Sequence, residues 1–488
     1  MFSDIKFNKE VPVYIQIKDY IKEMILGGML QSGEKLPSTR EMSSIMKVSR
    51  NTIIYAYEFL EDEGFICIKK GKGAFVCEIH VEMQEKWNVN WKTLINDYAR
   101  ASESLDIVKH EAKWKKGMIS FKSIAPDENL FDVEEFKKAF LNRMSIEGEK
   151  ILNYGYAQGY RPLINYLLKY MKNKGVNIRG KDILITNGFT EGFDIILSSL
   201  TNTNDKVLCE NPTHNTAIKI MKLHGLTIEG VDMDADGINI KKLQEKLEKD
   251  KFALSYFIPS YHNPTGIVMS PEKRVKLYKL LKKYNIPIIE DGFNEELRYT
   301  GAHVAPIAAL CGEGNSVIYI GSFSKVLFPG IRIGWILGDE NIIGYLESVK
   351  RSRNIHTSFL DQAVFYDYLQ GGNFEKYIKK ARKVYKEKYE FAIECAKKYI
   401  STGQVMGEGG LHIFIKIDGI NARKLLDRCY DKGVIFTPGD IFYTDNKGAD
   451  TFRLGFSRVN KNEIQIGFQI IGDEVSNLIR ETMEEKNV

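Results

Sequence analysis

The sequence predicts an α/β protein: a large domain on a mostly parallel central sheet, a smaller α+β lobe at its C-terminal end, and a small helical domain with a hairpin at the N-terminus. Three observations predict it. From residue 182 onward, short apolar runs of strand character alternate with helical stretches, the rhythm of a buried parallel sheet. Residues 12–78 instead carry three short helical patterns and then two strand-like runs around a glycine-rich turn. A chain of 488 residues also exceeds one ordinary core, so a small domain and a large, bilobed one divide it.

Composition narrows the class further. An apolar fraction of 43% and a charged fraction of 27% are those of a soluble globular protein. No apolar run approaches the roughly 20 residues that span a bilayer, and the N-terminus lacks a secretory apolar core, so a cytoplasmic protein without membrane contact is expected. Six cysteines are scattered without C-x-x-C spacing, which argues against a metal site and against a disulfide framework; most should be core thiols. The net charge of +5 is mild and says nothing by itself about nucleic acid.

In residues 1–78, Ile17, Ile21, Met24 and Ile25 give the first helix one apolar face, and Gly27-Gly28 ends it. Ser38 and Glu41 form a capping-box signal for a short second helix. Ser49 can cap a third, which turns Ile53, Tyr57 and Leu60 inward. Two short helices across a tight turn make a helix-turn-helix. Phe65–Ile68 and Ala74–Cys77 read as strands around Lys69-Lys70-Gly71-Lys72-Gly73, a basic wing whose glycines allow close backbone approach and whose lysines suit phosphate contacts. The domain holds as many acidic as basic residues. Its acidic side chains, however, crowd the far end of the third helix (Glu58, Glu61, Asp62, Glu63), so only the N-terminal half of that helix should enter a groove.

Through L-P-S-T-R, S-R-N-T, A-Y-x-x-L-x-x-E-G and G-x-G-x-F-V, in that order, this module resembles the winged helix-turn-helix of GntR-type regulators. The resemblance implies double-stranded operator DNA as partner and Arg40, Ser49, Arg50, Asn51, Thr52, Tyr55, Lys70, Lys72 and Gly73 as contact residues. A protein-binding winged helix is the alternative. Residues 79–117 turn charged and aromatic, with Trp87, Trp91 and Trp114, and are expected to form a linker that partly packs on the large domain of residues 118–488.

In that domain Gly188, His214, Asn263, Asp291 and Lys325 each fall near the carboxyl end of a separate predicted strand, where open α/β sheets bind ligands. Asn187-Gly188-Phe189-Thr190 runs into a helix, whose free N–H groups and dipole suit a phosphate dianion. Asp291 follows the strand Ile286–Glu290, placed to keep a pyridinium nitrogen protonated. Lys325, in Gly321-Ser322-Phe323-Ser324-Lys325, has the setting of a lysine that condenses with pyridoxal 5′-phosphate. Ser322, Ser324 and Arg332 are spaced to clamp the phosphate.

From about residue 118 the chain resembles the fold-type I, pyridoxal-phosphate-dependent aminotransferases. The carrying segments are Tyr154–Gly159, Thr186-Asn187-Gly188, Glu210-Asn211-Pro212, Asn263-Pro264-Thr265-Gly266, Glu290-Asp291, Ser322–Lys325 and Arg453-Leu454-Gly455-Phe456-Ser457. With its N-terminal module, the whole resembles the MocR/GabR-type transcription regulators. The resemblance implies that Asn263 bonds the cofactor's 3-oxygen, that Arg453 grips a carboxylate, that Tyr154 reaches the phosphate of a partner subunit, and that the protein is a homodimer. Two positions depart from the family pattern. His214 stands where a tyrosine usually stacks on the ring, and Phe293 where a tyrosine usually donates to the 3-oxygen. Loss of that donor predicts weak or absent turnover with the cofactor retained.

The reading is therefore a transcription regulator that senses an amino-acid-like effector, or the cofactor itself, through external aldimine formation. A working aminotransferase carrying a DNA-binding domain is the alternative, and a relic with neither cofactor nor activity is a third; Lys325, Asp291 and Arg332 together stand against the third.

Overall fold

Caps and turn residues set out the N-terminal unit. The computed structural model describes residues 2, 5, 7–8, 10–78, 88–299, 301, 303–400 and 402–486. Helix α1 (Val13–Leu26) turns Ile17, Ile21, Met24 and Ile25 inward. Helix α2 (Thr39–Met46) opens on the expected capping box: the Glu41 N–H donates to Ser38 Oγ at 3.3 Å and the Ser38 N–H to Glu41 Oε2 at 2.8 Å. Lys47, in the left-handed region at φ 54°, makes the tight turn, and Ser49 caps helix α3 (Arg50–Asp62) by accepting from the Thr52 N–H at 3.2 Å. The wing is an antiparallel hairpin of β1 (Ile66–Lys69) and β2 (Gly73–Val76). All three helices and the hairpin share one buried cluster.

Two of the six cysteines depart from the expected core thiols. Cys209, Cys311, Cys395 and Cys429 are buried free thiols, but Cys67 and Cys77 form a disulfide across the wing. Their sequence spacing gives no hint of it. Strand pairing does, because Cys67 lies opposite Phe75 and the Cys77 N–H donates to the Phe65 carbonyl at 3.0 Å, which brings the two Cα atoms to 5.8 Å.

The division between compact units falls between Ile95 and Asn96, earlier than the expected domain start at residue 118. Residues 96–117 belong to the large unit because they pack there. Helix α4 (Asp97–Ser104) lies against the helix Asn215–Leu223, the Tyr430 hydroxyl donates to the Lys113 carbonyl at 2.8 Å, and Lys122 pairs with Glu111 at 2.9 Å. Trp114 donates from its indole N–H to the Met118 carbonyl at 2.9 Å; Trp91 is exposed, and Trp87 lies outside the described residues.

The described residues of the large unit build an eight-stranded sheet from β3 (Lys181–Thr186), β4 (Lys206–Asn211), β5 (Thr227–Asp234), β6 (Gly237–Ile238), β7 (Leu254–Phe257), β8 (Ile288–Asp291), β9 (Val317–Ser322) and β10 (Gly334–Asp339), in the order β3-β10-β9-β8-β7-β4-β5-β6. The pairs from β9 through β5 are parallel; β10 runs antiparallel to both neighbours, and β6 is a short antiparallel edge. Near-continuous burial of β7, β8 and β9 is what a sheet covered on both faces requires, and it explains why these segments read as unbroken apolar runs. β5 escapes sequence reading because its exposed and half-buried residues carry no such run. The C-terminal lobe adds an antiparallel sheet of β11 (Gln404–Met406), β12 (His412–Lys416), β13 (Thr437–Pro438) and β14 (Thr451–Gly455), backed by long helices Asn373–Tyr399 and Lys461–Lys486 and holding its own apolar cluster.

Candidate functional site

The parallel strands point their carboxyl ends at one cavity. It is lined by Phe189 and Thr190 after β3, His214 and Thr216 after β4, Asp291 at the last position of β8 with Gly292, Phe293 and Asn294 behind it, and Ser322 at the last position of β9 with Ser324, Lys325 and Arg332 beyond it. Residues up to 143 positions apart in sequence thus share one wall, a juxtaposition created by strand order alone. Thr216, Gly292 and Asn294 are additions; Gly292 and Asn294 flank the named Phe293, and nothing in the sequence setting of Thr216 marks it.

At one end of the cavity, helix α5 (Phe189–Leu200) begins without a side-chain cap, so its first backbone N–H groups face the site. Arg332 crosses in front of it, donating from Nη2 to the Asn187 carbonyl at 2.8 Å and from Nη1 to Ser324 Oγ at 3.2 Å. Gly188 makes the crossing possible. Its φ is 84°, and a Cβ there would sit 2.6 Å from Arg332 Nη2. The uncapped helix end, two serine hydroxyls and a guanidinium together form a donor set for a phosphate dianion.

Asp291 is buried, and its Oδ2 accepts a 2.8 Å hydrogen bond from the buried hydroxyl of Tyr256. Burial pushes the carboxyl up to about 7; the Tyr256 hydrogen bond and the Lys325 ammonium pull the other way. Lys325 is held down to about 8, first by burial and then by the positive charges of Arg453, Arg332 and Arg458. At pH 7 roughly one such amine in ten is therefore unprotonated, against a few in ten thousand for an ordinary lysine. His214, tilted against Phe189 with ring centroids 5.3 Å apart, is pushed down to about 3 by burial and by the charges of Lys325 and Arg453. It presents a neutral ring. Phe293 is buried and carries no polar atom into the site.

Two predicted residues sit together rather than on the cavity wall. Arg453, on β14, donates from Nη1 to Asn263 Oδ1 at 2.7 Å, and both are buried. Among the described residues no carboxylate forms an ion pair with Arg453, and its Nε has no partner. Tyr154 lies apart from this cavity and is 80% exposed. Buried polar atoms without partners gather around the site: His214 Nδ1, both side-chain atoms of Asn294, and Thr213 Oγ1. Native proteins rarely leave such groups unpaired, so they fit a polar ligand that completes the pocket. Groups suited to a phosphate, a pyridinium nitrogen and an aldehyde carbon, together with these orphans, match pyridoxal 5′-phosphate.

In the N-terminal unit, Arg40, Ser49, Arg50, Asn51, Tyr55, Lys70 and Lys72 are exposed, while Thr52 and Gly73 are half-buried. Arg50 donates from Nε to Thr39 Oγ1 at 3.3 Å, which ties the start of α3 to the start of α2. Opposite this exposed side of α3, Ile53, Ala56, Tyr57 and Leu60 are buried. Gly73, at φ 106°, closes the wing. The described residues contain no group of three or more metal-ligating side chains, and no described helix is long and apolar enough to cross a membrane.

Comparison with known proteins agrees with both halves. Residues 118–471 match the family described as "Aminotransferase class I and II", and residues 13–76 that described as "Bacterial regulatory proteins, gntR family". An aromatic-amino-acid aminotransferase of Thermococcus litoralis is 30% identical over 73% of this chain and 88% of its own length. A Bacillus subtilis protein named as an uncharacterized HTH-type transcriptional regulator, YdfD, is 28% identical over 96% of this chain and 98% of its own. Among solved structures, a multiple-substrate aminotransferase from Thermococcus profundus superposes with a TM-score of 0.77 at 28% identity, covering 80% of this chain and all of that one. The α-aminoadipate aminotransferase LysN of Thermus thermophilus, solved with N-(5′-phosphopyridoxyl)-L-leucine, gives 0.74 at 26%, with the same coverage.

Proposed function

Because the chain belongs to the class I and II aminotransferase family and carries a gntR-family DNA-binding domain ahead of it, we propose that it is a transcription regulator. In this reading its large domain holds pyridoxal 5′-phosphate and senses an amino-acid-like effector, and its N-terminal domain binds operator DNA as part of a homodimer. The observation that carries the reading is Lys325, an amine made partly free at neutral pH, set in one cavity with Asp291 and an uncapped helix N-terminus. When bound, the cofactor supplies an aldehyde for amines and a ring that withdraws electrons.

The chain's own residues divide the work of holding it. Phe189, Thr190, Ser322, Ser324 and Arg332 take the phosphate; Asp291 keeps the ring nitrogen protonated; His214 covers the ring as a neutral imidazole; Asn263 is assigned to the 3-oxygen. Arg453 takes the effector's carboxylate, which would give this buried cation the anion it lacks. Exposed Tyr154 and Tyr156 support a second subunit covering this edge, with Tyr154 reaching the neighbouring site. An effector that binds the DNA-competent arrangement better or worse than the other shifts its population by the difference in affinity.

Phe293 favours sensing over turnover, since no hydroxyl at that position can help hold the 3-oxygen. The likeness to the Thermococcus aminotransferase keeps a second reading, a working transaminase with a DNA-binding domain. The two separate in one assay. The purified, cofactor-loaded protein is mixed with a panel of amino acids and 2-oxo acids. A regulator changes the cofactor's absorption without sustained oxo-acid production; rapid, complete transamination reverses the ranking.

A further inference from the structure

Tyr256 is the least explained polar group near the site. It sits in the middle of β7, opposite Ile289 of β8 on one side and Cys209 of β4 on the other, with no exposed surface. Phe193 packs on its ring at 4.9 Å and Phe189 at 6.1 Å, the latter also touching His214, so the phenol is wedged in position from behind the cavity. A strand tyrosine that served packing alone would match phenylalanine. This one spends its hydroxyl on the carboxylate that lines the cavity, at 2.8 Å.

We propose that Tyr256 is a positioning residue for the cofactor: it holds Asp291 ionised and fixes its rotation, so that the oxygen it does not engage is presented to the ring nitrogen. This rests on the cofactor assignment made above. The need for such a donor follows from the other groups facing Asp291. Glu295 and Glu210 disfavour its charge, as burial does, while Lys325 offers one favourable cation that acts on it through space and not by a hydrogen bond. The hydroxyl alone among these is a short-range donor. Its own proton is secure, because burial and the neighbouring carboxylate raise the phenol well above its usual range.

The test uses the full-length protein with added pyridoxal phosphate, comparing wild type with Tyr256→Phe. Two quantities are read: the dissociation constant for the cofactor and the pH midpoint of its visible absorption band. Loss of a hydrogen bond to a charged group should weaken binding about tenfold. A less anionic Asp291 holds the ring proton less firmly, withdraws fewer electrons and moves the midpoint upward, by about half a unit or more. Both effects should vanish when the change is made in a D291A background. Unchanged readings in Y256F, or an equal loss with and without Asp291, would overturn the proposal and leave the tyrosine as packing. If Y256F does not fold, Tyr256→Gln, which keeps a donor, is compared with Tyr256→Leu, which lacks one; equal readings then overturn it. A wild-type protein that takes up no cofactor would instead defeat the assignment on which this rests.

Discussion

The two units place their working residues in opposite surroundings. In the N-terminal unit the candidate contacts lie on the surface, close together in sequence, on α3 and a hairpin that local signals build: caps, a left-handed turn residue and a glycine-rich loop. In the large unit the candidate residues are drawn from the ends of β3, β4, β8 and β9 and are shielded by both sheet and aromatic side chains. The difference teaches how each half can be tuned. A surface that reads phosphates needs exposed charge and tolerates change around it. A pocket meant to condense an aldehyde needs an amine pushed off its ordinary pKa, and for Lys325 burial beside Arg453, Arg332 and Arg458 does that.

The sharpest way to break the comparison is Lys325→Ala. It should abolish borohydride-trappable attachment of the cofactor and its visible band while leaving DNA affinity in gel shifts within about twofold of wild type; a retained adduct would mean that another lysine serves. Next in size is a pH effect. Well below the folded-state value of about 8 each unit of pH costs about tenfold in free amine, so the rate of cofactor capture should rise about fiftyfold from pH 6 to pH 8 and only about twofold more above it. A rate still climbing steeply between pH 9 and 10 would mean that the amine is not depressed.

The third test bears on the small unit alone. The Cys67–Cys77 disulfide closes a loop with a sequence separation of 10, so reduction or paired replacement by serine should cost the N-terminal unit roughly 2–3 kcal/mol. Calorimetry with and without a dithiol reductant should show the N-terminal unit's transition fall and the large-unit transition stay. Smallest is Arg50→Ala, which should cost about 1–3 kcal/mol in specific DNA binding and leave cofactor absorption unchanged. Equal loss on specific and random duplexes would reassign Arg50 to the phosphate backbone.

Legibility in the sequence follows the same division. Ser38 with Glu41, Ser49 and the wing lysines were readable because each acts within a few residues of itself. Lys325 and Asp291 were readable because each lies at or just beyond an apolar run that marks a strand end, and Arg332 because of its spacing from Lys325. What depends on pairing between distant strands was not. Tyr256 looks like any strand tyrosine until β7 and β8 lie side by side, and Asn294 and Thr216 become wall residues only when the loops after β8 and β4 converge. The Cys67–Cys77 bond is the same lesson at short range, since it needs the hairpin register rather than a spacing motif. The aromatic residues of 79–117 foretold some packing on the large domain, but that 96–117 joins it was hidden because the attachment uses the Lys113 carbonyl, held by Tyr430, and Glu111, paired with Lys122, groups with no sequence signature.

The proposal that one chain couples the two sites is tested most directly by following both in a single titration. Cofactor-loaded protein, held with labelled duplex from the DNA flanking its own gene, is titrated with an amino acid that alters the cofactor's absorption, while DNA anisotropy is recorded in the same cuvette. Coupling predicts that absorption and DNA affinity change over the same concentration range in wild type, and that Lys325→Ala loses both responses while still binding DNA. Absorption that shifts fully while DNA affinity stays constant would contradict the account and leave an aminotransferase with a DNA-binding domain attached.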